Sequence, residues 1–134
     1  MAYRQVLDTN VLVAAFIAHG ACHELLEHCY HHHEIVTTDS LLREFQGVLS
    51  RKFRFSRSDV REALQVLRRM VEIAAPQPLA RSVCRDPDDD EVLAAALGGD
   101  AACIVTGDKD LLALKEHQGI AIISPDRFWR FEEP

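Results

Sequence analysis

Short apolar segments rich in β-branched residues alternate with helical segments along the whole chain, and this alternation constrains the fold more than any single residue does. Residues 4–7, 34–37, 102–105 and 120–123 read as strands. Between them lie helical stretches over residues 11–18, 21–32, 39–51, 56–70 and 86–98, a short one over 108–117, and a turn or helix from Pro125 onward. Strand, helix, strand in repeated succession predicts a parallel sheet covered on both faces, a three-layer α/β domain. With 134 residues, 48% hydrophobic, the chain suits one such core, spanning residues 1–134, rather than two domains.

Local punctuation supports these boundaries. Asp8-Thr9-Asn10 follows the first strand and can cap the first helix. Ser56 and Asp59 form a capping box, and Asp86-Pro87 supplies a cap followed by proline at the first helical position. Gly98-Gly99 stops that helix, and Pro76 and Pro78 mark a connection within the fold. In residues 39–51, Leu41, Leu42, Phe45, Val48 and Leu49 make one apolar stripe, with Glu44 at its edge.

Several function classes drop out. The longest apolar run, residues 11–18, falls well short of the roughly 20 residues a membrane helix needs, so no bilayer span is expected. Asp8, Thr9 and Asn10 interrupt the first apolar stretch and argue against a signal peptide. Cys22, Cys29, Cys84 and Cys103 are sparse and set in apolar or helical text, consistent with reduced thiols in a cytoplasmic protein. No phosphate-cradling Gly-x-x-x-x-Gly-Lys loop is present. Cys22, His23, His28, Cys29 and His31 to His33 lack zinc-site spacing and read as a helix with buried cysteines and exposed histidines. Phe128, Trp129 and Phe131 read as cover for a sheet edge or a subunit contact.

The chemistry-bearing feature is acidic. The chain carries 21 acids against 15 bases, and five of the six residues 86–91 are acids. A helix start accommodates one or two carboxylates, each worth about 0.3 to 1 kcal/mol. Five exceed that, and Asp86 and Asp90 share a helix face, where they repel unless a cation lies between them. Taken singly, Asp8 and Asp108 are helix caps, Glu44 a marginal acid and the 86–91 run a solvated helix start. Taken together, two of these places follow strands, one opens a helix and one borders a buried stripe, so all can converge at one sheet edge. In open α/β sheets that edge is where sites form. The expected occupant is a hard divalent cation such as magnesium, and metal-assisted phosphodiester cleavage fits it.

The chain resembles the PIN-domain ribonucleases, and among them the small prokaryotic PIN toxins of the VapC-like group. The resemblance is carried by Val6-Leu-Asp-Thr-Asn-Val11, Leu42-Arg-Glu-Phe45, Asp86-Pro-Asp-Asp-Asp-Glu-Val-Leu-Ala-Ala-Ala96 and Val105-Thr-Gly-Asp-Lys-Asp-Leu111, and covers nearly the whole chain. It implies that Asp8, Glu44, Asp90 and Asp108 are the catalytic metal ligands, with Asp86, Asp88, Asp89 and Asp110 as alternatives. It further implies that Asn10 and Thr106 orient these acids. The implied activity is a magnesium- or manganese-dependent endoribonuclease acting on single-stranded RNA. The implied partners are a small antitoxin protein and a second copy of the chain.

A net charge of −6 is unusual for such an enzyme, but the bases are concentrated. Residues 51–69 hold Arg51, Lys52, Arg54, Arg57, Arg61, Arg68 and Arg69 against only Asp59 and Glu62. Arg51, Lys52, Arg54, Arg57 and Arg61 are therefore the expected RNA contacts. Two other classes compete. A haloacid-dehalogenase-like phosphatase also places an aspartate after the first strand, but needs a second acid where Asn10 stands. A non-catalytic module would use the same acids to hold an ion or a basic partner.

Overall fold

The computed structural model describes residues 2–133. β1 (Arg4–Leu7) leads into α1 (Thr9–Ile17) and α2 (Ala21–His32), followed by β2 (Glu34–Thr37), α3 (Asp39–Arg51), α4 (Arg57–Met70) and β3 (Val71–Ile73). The second half comprises α5 (Pro87–Gly98), β4 (Cys103–Val105), α6 (Lys109–Leu114), β5 (Glu116–His117), β6 (Ile120–Ile123) and α7 (Pro125–Glu132). The six strands form one sheet in the order β3-β2-β1-β4-β6-β5, parallel except for β5, which runs antiparallel to β6.

Alternate strand residues feed two cores, as the two-residue period of a strand requires. Leu7, Ile35, Cys103 and Val105 join α1 to α4 and α7 on one face, centred on Phe45, Leu49, Leu67 and Phe128. Val6, Val36, Ile104 and Ile122 meet Val92, Leu93, Ala95 and Ala96 of α5 and Leu111 of α6 on the other. The result is the three-layer arrangement expected from the sequence, with a mixed rather than purely parallel sheet.

Two strands were not legible. β3 continues from α4 without a break, and its partner β2 fixes it, pairing Ile35 with Val71 and Thr37 with Ile73. The helix expected over 108–117 stops at Leu114, where Lys115 turns to φ 63°. The next residues form β5, and Gln118 and Gly119, at φ 48° and 83°, make a two-residue hairpin into β6.

Among the described residues no single helix is long and apolar enough to cross a membrane; α1 and α2 would suffice only together, and they meet at 106°. All four cysteines are free thiols, Cys29 and Cys103 fully buried. Phe128 is core, whereas Trp129 stays 40% exposed.

Candidate active site

The chain builds β2 and β3 on one side of β1, then crosses to build β4, β6 and β5 on the other. Neighbouring strands β1 and β4 therefore carry connections that diverge, leaving a crevice beyond their carboxyl ends. Leu7 pairs with Val105 there, and the Asp8 N–H donates to the Val105 carbonyl at 2.9 Å, so the two strand exits are tied together.

Asp8 is 95% buried at this junction. One carboxylate oxygen accepts from the Thr9 N–H at 2.7 Å, capping α1, and the other accepts from the Thr106 hydroxyl at 2.7 Å. The Thr106 oxygen in turn accepts from the Asp108 N–H at 3.0 Å. Asp108 caps α6 through Leu111 N–H at 2.9 Å. Capping and site-building thus coincide in both residues. Each cap uses only part of the carboxylate's acceptor capacity, which leaves lone pairs for a further ligand.

Around this pair the acids converge. Asp89, Asp108 and Asp110 each bring an oxygen within 4.8 Å of the others. Burial, then repulsion from Asp108, Asp86 and Asp8, pushes Asp89 up to about 7. Burial likewise raises Asp8, against the hydrogen bonds from Thr106 and Thr9 and with added repulsion from Asp108. Glu44, half-buried on α3, is raised by burial and then by Asp8, Asp88 and Asp86. These three shifts point the same way: the surroundings of Asp8, Glu44 and Asp89 disfavour their negative charges.

Asp90, the acid expected from the resemblance as the third ligand, is hydrogen-bonded to the loop before α5. Its carboxylate accepts from Ser82 Oγ at 2.8 Å, Cys84 N–H at 2.8 Å and Val83 N–H at 3.2 Å. Burial works against its charge, but these donors outweigh it and hold the group below its ordinary value. A turn of about 100° per residue separates neighbours on a helix, so when Asp90 faces the 82–84 loop, Asp89 faces Asp108. Asp86 caps α5 through Asp88 N–H at 2.9 Å, and Asp110 lies 3.5 Å from the exposed Arg85 guanidinium. Asn10 is exposed on the first turn of α1; the donors to Asp8 are the Thr9 N–H and the Thr106 hydroxyl, and the donor to the Asp108 carboxylate is the Leu111 N–H.

The buried Thr9 hydroxyl makes no close hydrogen bond among the described residues and lies near enough to Glu44 to favour its charge. Carboxylates whose repulsion is largely unrelieved, with this hydroxyl beside them, form an all-oxygen donor set suited to a hard divalent cation.

A PIN-domain family model matches residues 4–110, from β1 into the first turn of α6, and so spans all of these acids. The chain belongs to the PIN-domain family. Two solved structures share its fold: VapBC2 from Rickettsia felis bound to a DNA fragment from their promoter, and PAE2754 from Pyrobaculum aerophilum. The first is 18% identical with a TM-score of 0.65, covering 90% of this chain and 98% of that one. The second is 19% identical with a TM-score of 0.60, covering 98% of this chain and 90% of that one. No curated protein sequence matches the chain.

The basic residues lie on the elements that follow Glu44 of this PIN domain. Arg51, Lys52, Arg54, Arg57 and Arg61 are all exposed, and among the described residues none is paired with a carboxylate. Arg57 and Arg61 line a groove of about 430 Å³ with Val60, Leu64, and Gln46 and Ser50 of α3.

Proposed function

We propose that this PIN domain is a magnesium- or manganese-dependent endoribonuclease of single-stranded RNA, the toxin of a cytoplasmic toxin-antitoxin pair, with Asp8, Glu44, Asp89 and Asp108 holding the metal. The observation that carries the reading is the close grouping of Asp89 and Asp108 with Asp110 at the β1/β4 crossover, next to the buried Asp8 that Thr106 ties to Asp108, with the charges of Asp8, Glu44 and Asp89 disfavoured by burial and neighbouring acids. Asp110 is close enough to share a ligand position. Asp90 is the anchor of the 82–84 loop in this scheme.

When bound, the ion supplies positive charge for the phosphoryl oxygens and a lowered pKa for attacking water. The protein's part is to fix the ligand oxygens before substrate arrives. Thr106 and the α1 and α6 caps set the carboxylates of Asp8 and Asp108, and Arg57 and Arg61 draw the RNA backbone along the α3/α4 groove. The antitoxin partner is supported by the similarity in fold to VapBC2, a complex by its own description, and a twofold homodimer by the frequency of such pairs.

The test is direct. Purified protein freed of any inhibitor is assayed against single-stranded RNA, single-stranded DNA and a phosphomonoester, with magnesium, with manganese and with chelator. RNA cleavage that the chelator abolishes and Asp8→Asn eliminates is expected. Cleavage of the monoester alone would mark a phosphatase, and binding without any cleavage a non-catalytic module. Arg57→Ala with Arg61→Ala should raise KM for RNA severalfold at unchanged kcat and flatten the salt dependence by about 0.7 log units per lost contact.

A further inference from the structure

Residues 74–86 connect β3 to α5, and the only charged side chains in 74–85 are Arg81 and Arg85. The end of this connection is fastened down. Asp90 accepts from Ser82 Oγ and from the Val83 and Cys84 N–H groups, and Asp86 caps α5 through the Asp88 N–H. Arg85 therefore stands between two residues that are both tied to the first turn of α5. Its backbone is held, while its side chain is 88% exposed and reaches the acids: Nη2 lies 3.5 Å from Asp110 Oδ1. Asp110, Asp89 and Asp108 in turn bring one oxygen each within 4.8 Å of the others. Among the described residues no other lysine or arginine is paired with an acid of this pocket.

That contact does little for stability, because an exposed ion pair at this distance is offset by solvation and side-chain entropy. The structural arginine of this fold is Arg4, whose guanidinium binds Glu34, Glu72 and the Gly99 carbonyl together and whose side chain is only 31% exposed. Arg85 makes one long contact in solvent, which leaves its other N–H donors available. Its place matters more than its bond. Arg57 and Arg61 belong to α4, in the layer packed on one face of the sheet, and Arg85 leads into α5, in the layer packed on the other. The acids lie at the sheet edge between these layers.

We propose, resting on the nuclease reading above, that Arg85 is a second phosphate contact for the substrate strand: its guanidinium exchanges the Asp110 carboxylate for a phosphate flanking the one at the acids, on the side away from the α3/α4 groove. The polynucleotide then crosses the sheet edge, held by Arg57 and Arg61 in one layer and by Arg85 in the other. A guanidinium takes two phosphate oxygens through paired N–H bonds, a better match than the single long contact it gives up. Contacts on both sides of the pocket favour phosphodiesters inside a strand over those at its end. Asp90 is the positioning residue for Arg85 in this scheme, acting through the 82–84 loop.

The test measures binding apart from cutting. Fluorescent single-stranded RNA is titrated with the Asp8→Asn protein in magnesium at several salt concentrations, with Arg85→Ala, Arg85→Lys and Arg130→Ala added in turn. Arg85→Ala should raise Kd severalfold and reduce the slope of log affinity against log salt by about 0.7. Arg85→Lys keeps the charge and should recover part of the affinity, and Arg130→Ala, exposed on α7, should match the parent. RNAs carrying one neutral methylphosphonate linkage at successive positions then locate the contact. At one linkage the loss seen with Arg85 present should vanish in Arg85→Ala, a coupling that a merely structural role does not produce. Unchanged affinity and slope in Arg85→Ala, or additive losses at every linkage, would overturn the assignment. Wild-type protein that binds RNA through Arg85 but cuts none removes the nuclease reading and leaves the contact standing, whereas cutting with affinity indifferent to Arg85 does the reverse.

Discussion

Thr106 bridges two acids that are 100 residues apart in sequence, donating its hydroxyl to Asp8 at 2.7 Å while accepting the Asp108 N–H at 3.0 Å. The bridge holds the α1 and α6 caps in one frame. Thr106→Val keeps the shape and removes both bonds. We expect the magnesium concentration for half-maximal cleavage to rise about 10- to 100-fold, with about 1 to 3 kcal/mol lost in chemical denaturation. Thr106→Ser should restore both. Wild-type magnesium dependence in the valine variant would show that the bridge does not set the site.

Adjacent aspartates in α5 should separate cleanly by mutation. Asp89→Asn is expected to reduce cleavage by orders of magnitude with little loss of stability, because it removes a repelled charge facing Asp108. Asp90→Asn leaves an amide oxygen to accept only part of the Ser82, Val83 and Cys84 donation, so it should loosen the 82–84 loop, seen as faster amide exchange there, at a smaller cost in activity. The opposite ranking of the two activities would return Asp90 to the metal.

The metal-free pocket sets a pH dependence with a definite sign. In the folded protein Asp89 holds its proton up to about pH 7, whereas its ordinary value is 3.8. Between these values the folded state binds more protons than the unfolded chain, so the contribution of Asp89 to stability falls as pH rises through this window. Asp8 and Glu44 shift in the same direction. In chelator, the Tm of Asp89→Asn relative to wild type should therefore rise between about pH 5 and pH 8, and magnesium should shrink the difference. A pH-independent difference would mean that Asp89 is ionised throughout.

Much of this was legible because local signals and tertiary context agree. The polar turn after β1, the Asp86-Pro87 cap and the stripe bearing Glu44 each mark their own element. What was hidden depends on distant partners. Val71–Ile73 is a strand only because β2 offers it backbone bonds, and nothing in Val-Glu-Ile after a helix announces that. Among three consecutive aspartates, which one faces the pocket depends on how Val92 and Leu93 seat α5 against the sheet, a rotation the run itself cannot encode. The His33 and Glu132 pair spans 99 residues and belongs to no short motif.

Gly98 sets helix propensity against packing. On propensity alone, replacing a glycine near the end of α5 by alanine should gain up to about 1 kcal/mol. Here a Cβ would stand 2.0 Å from the Ala75 carbonyl oxygen and 2.8 Å from Gln77 N, backbone atoms that cannot swing aside as a side chain would. The Gln77 N–H also donates to the Ala94 carbonyl at 3.0 Å, pinning the connection after β3 onto α5. Relieving the clash means lifting that connection off the helix, at a cost of about 1 to 3 kcal/mol. Gly98→Ala should therefore lower the urea midpoint with an unchanged m-value, and its effect should persist in the Asp89→Asn background. A stabilised Gly98→Ala would show that the connection moves freely and that this close approach is not part of what positions α5.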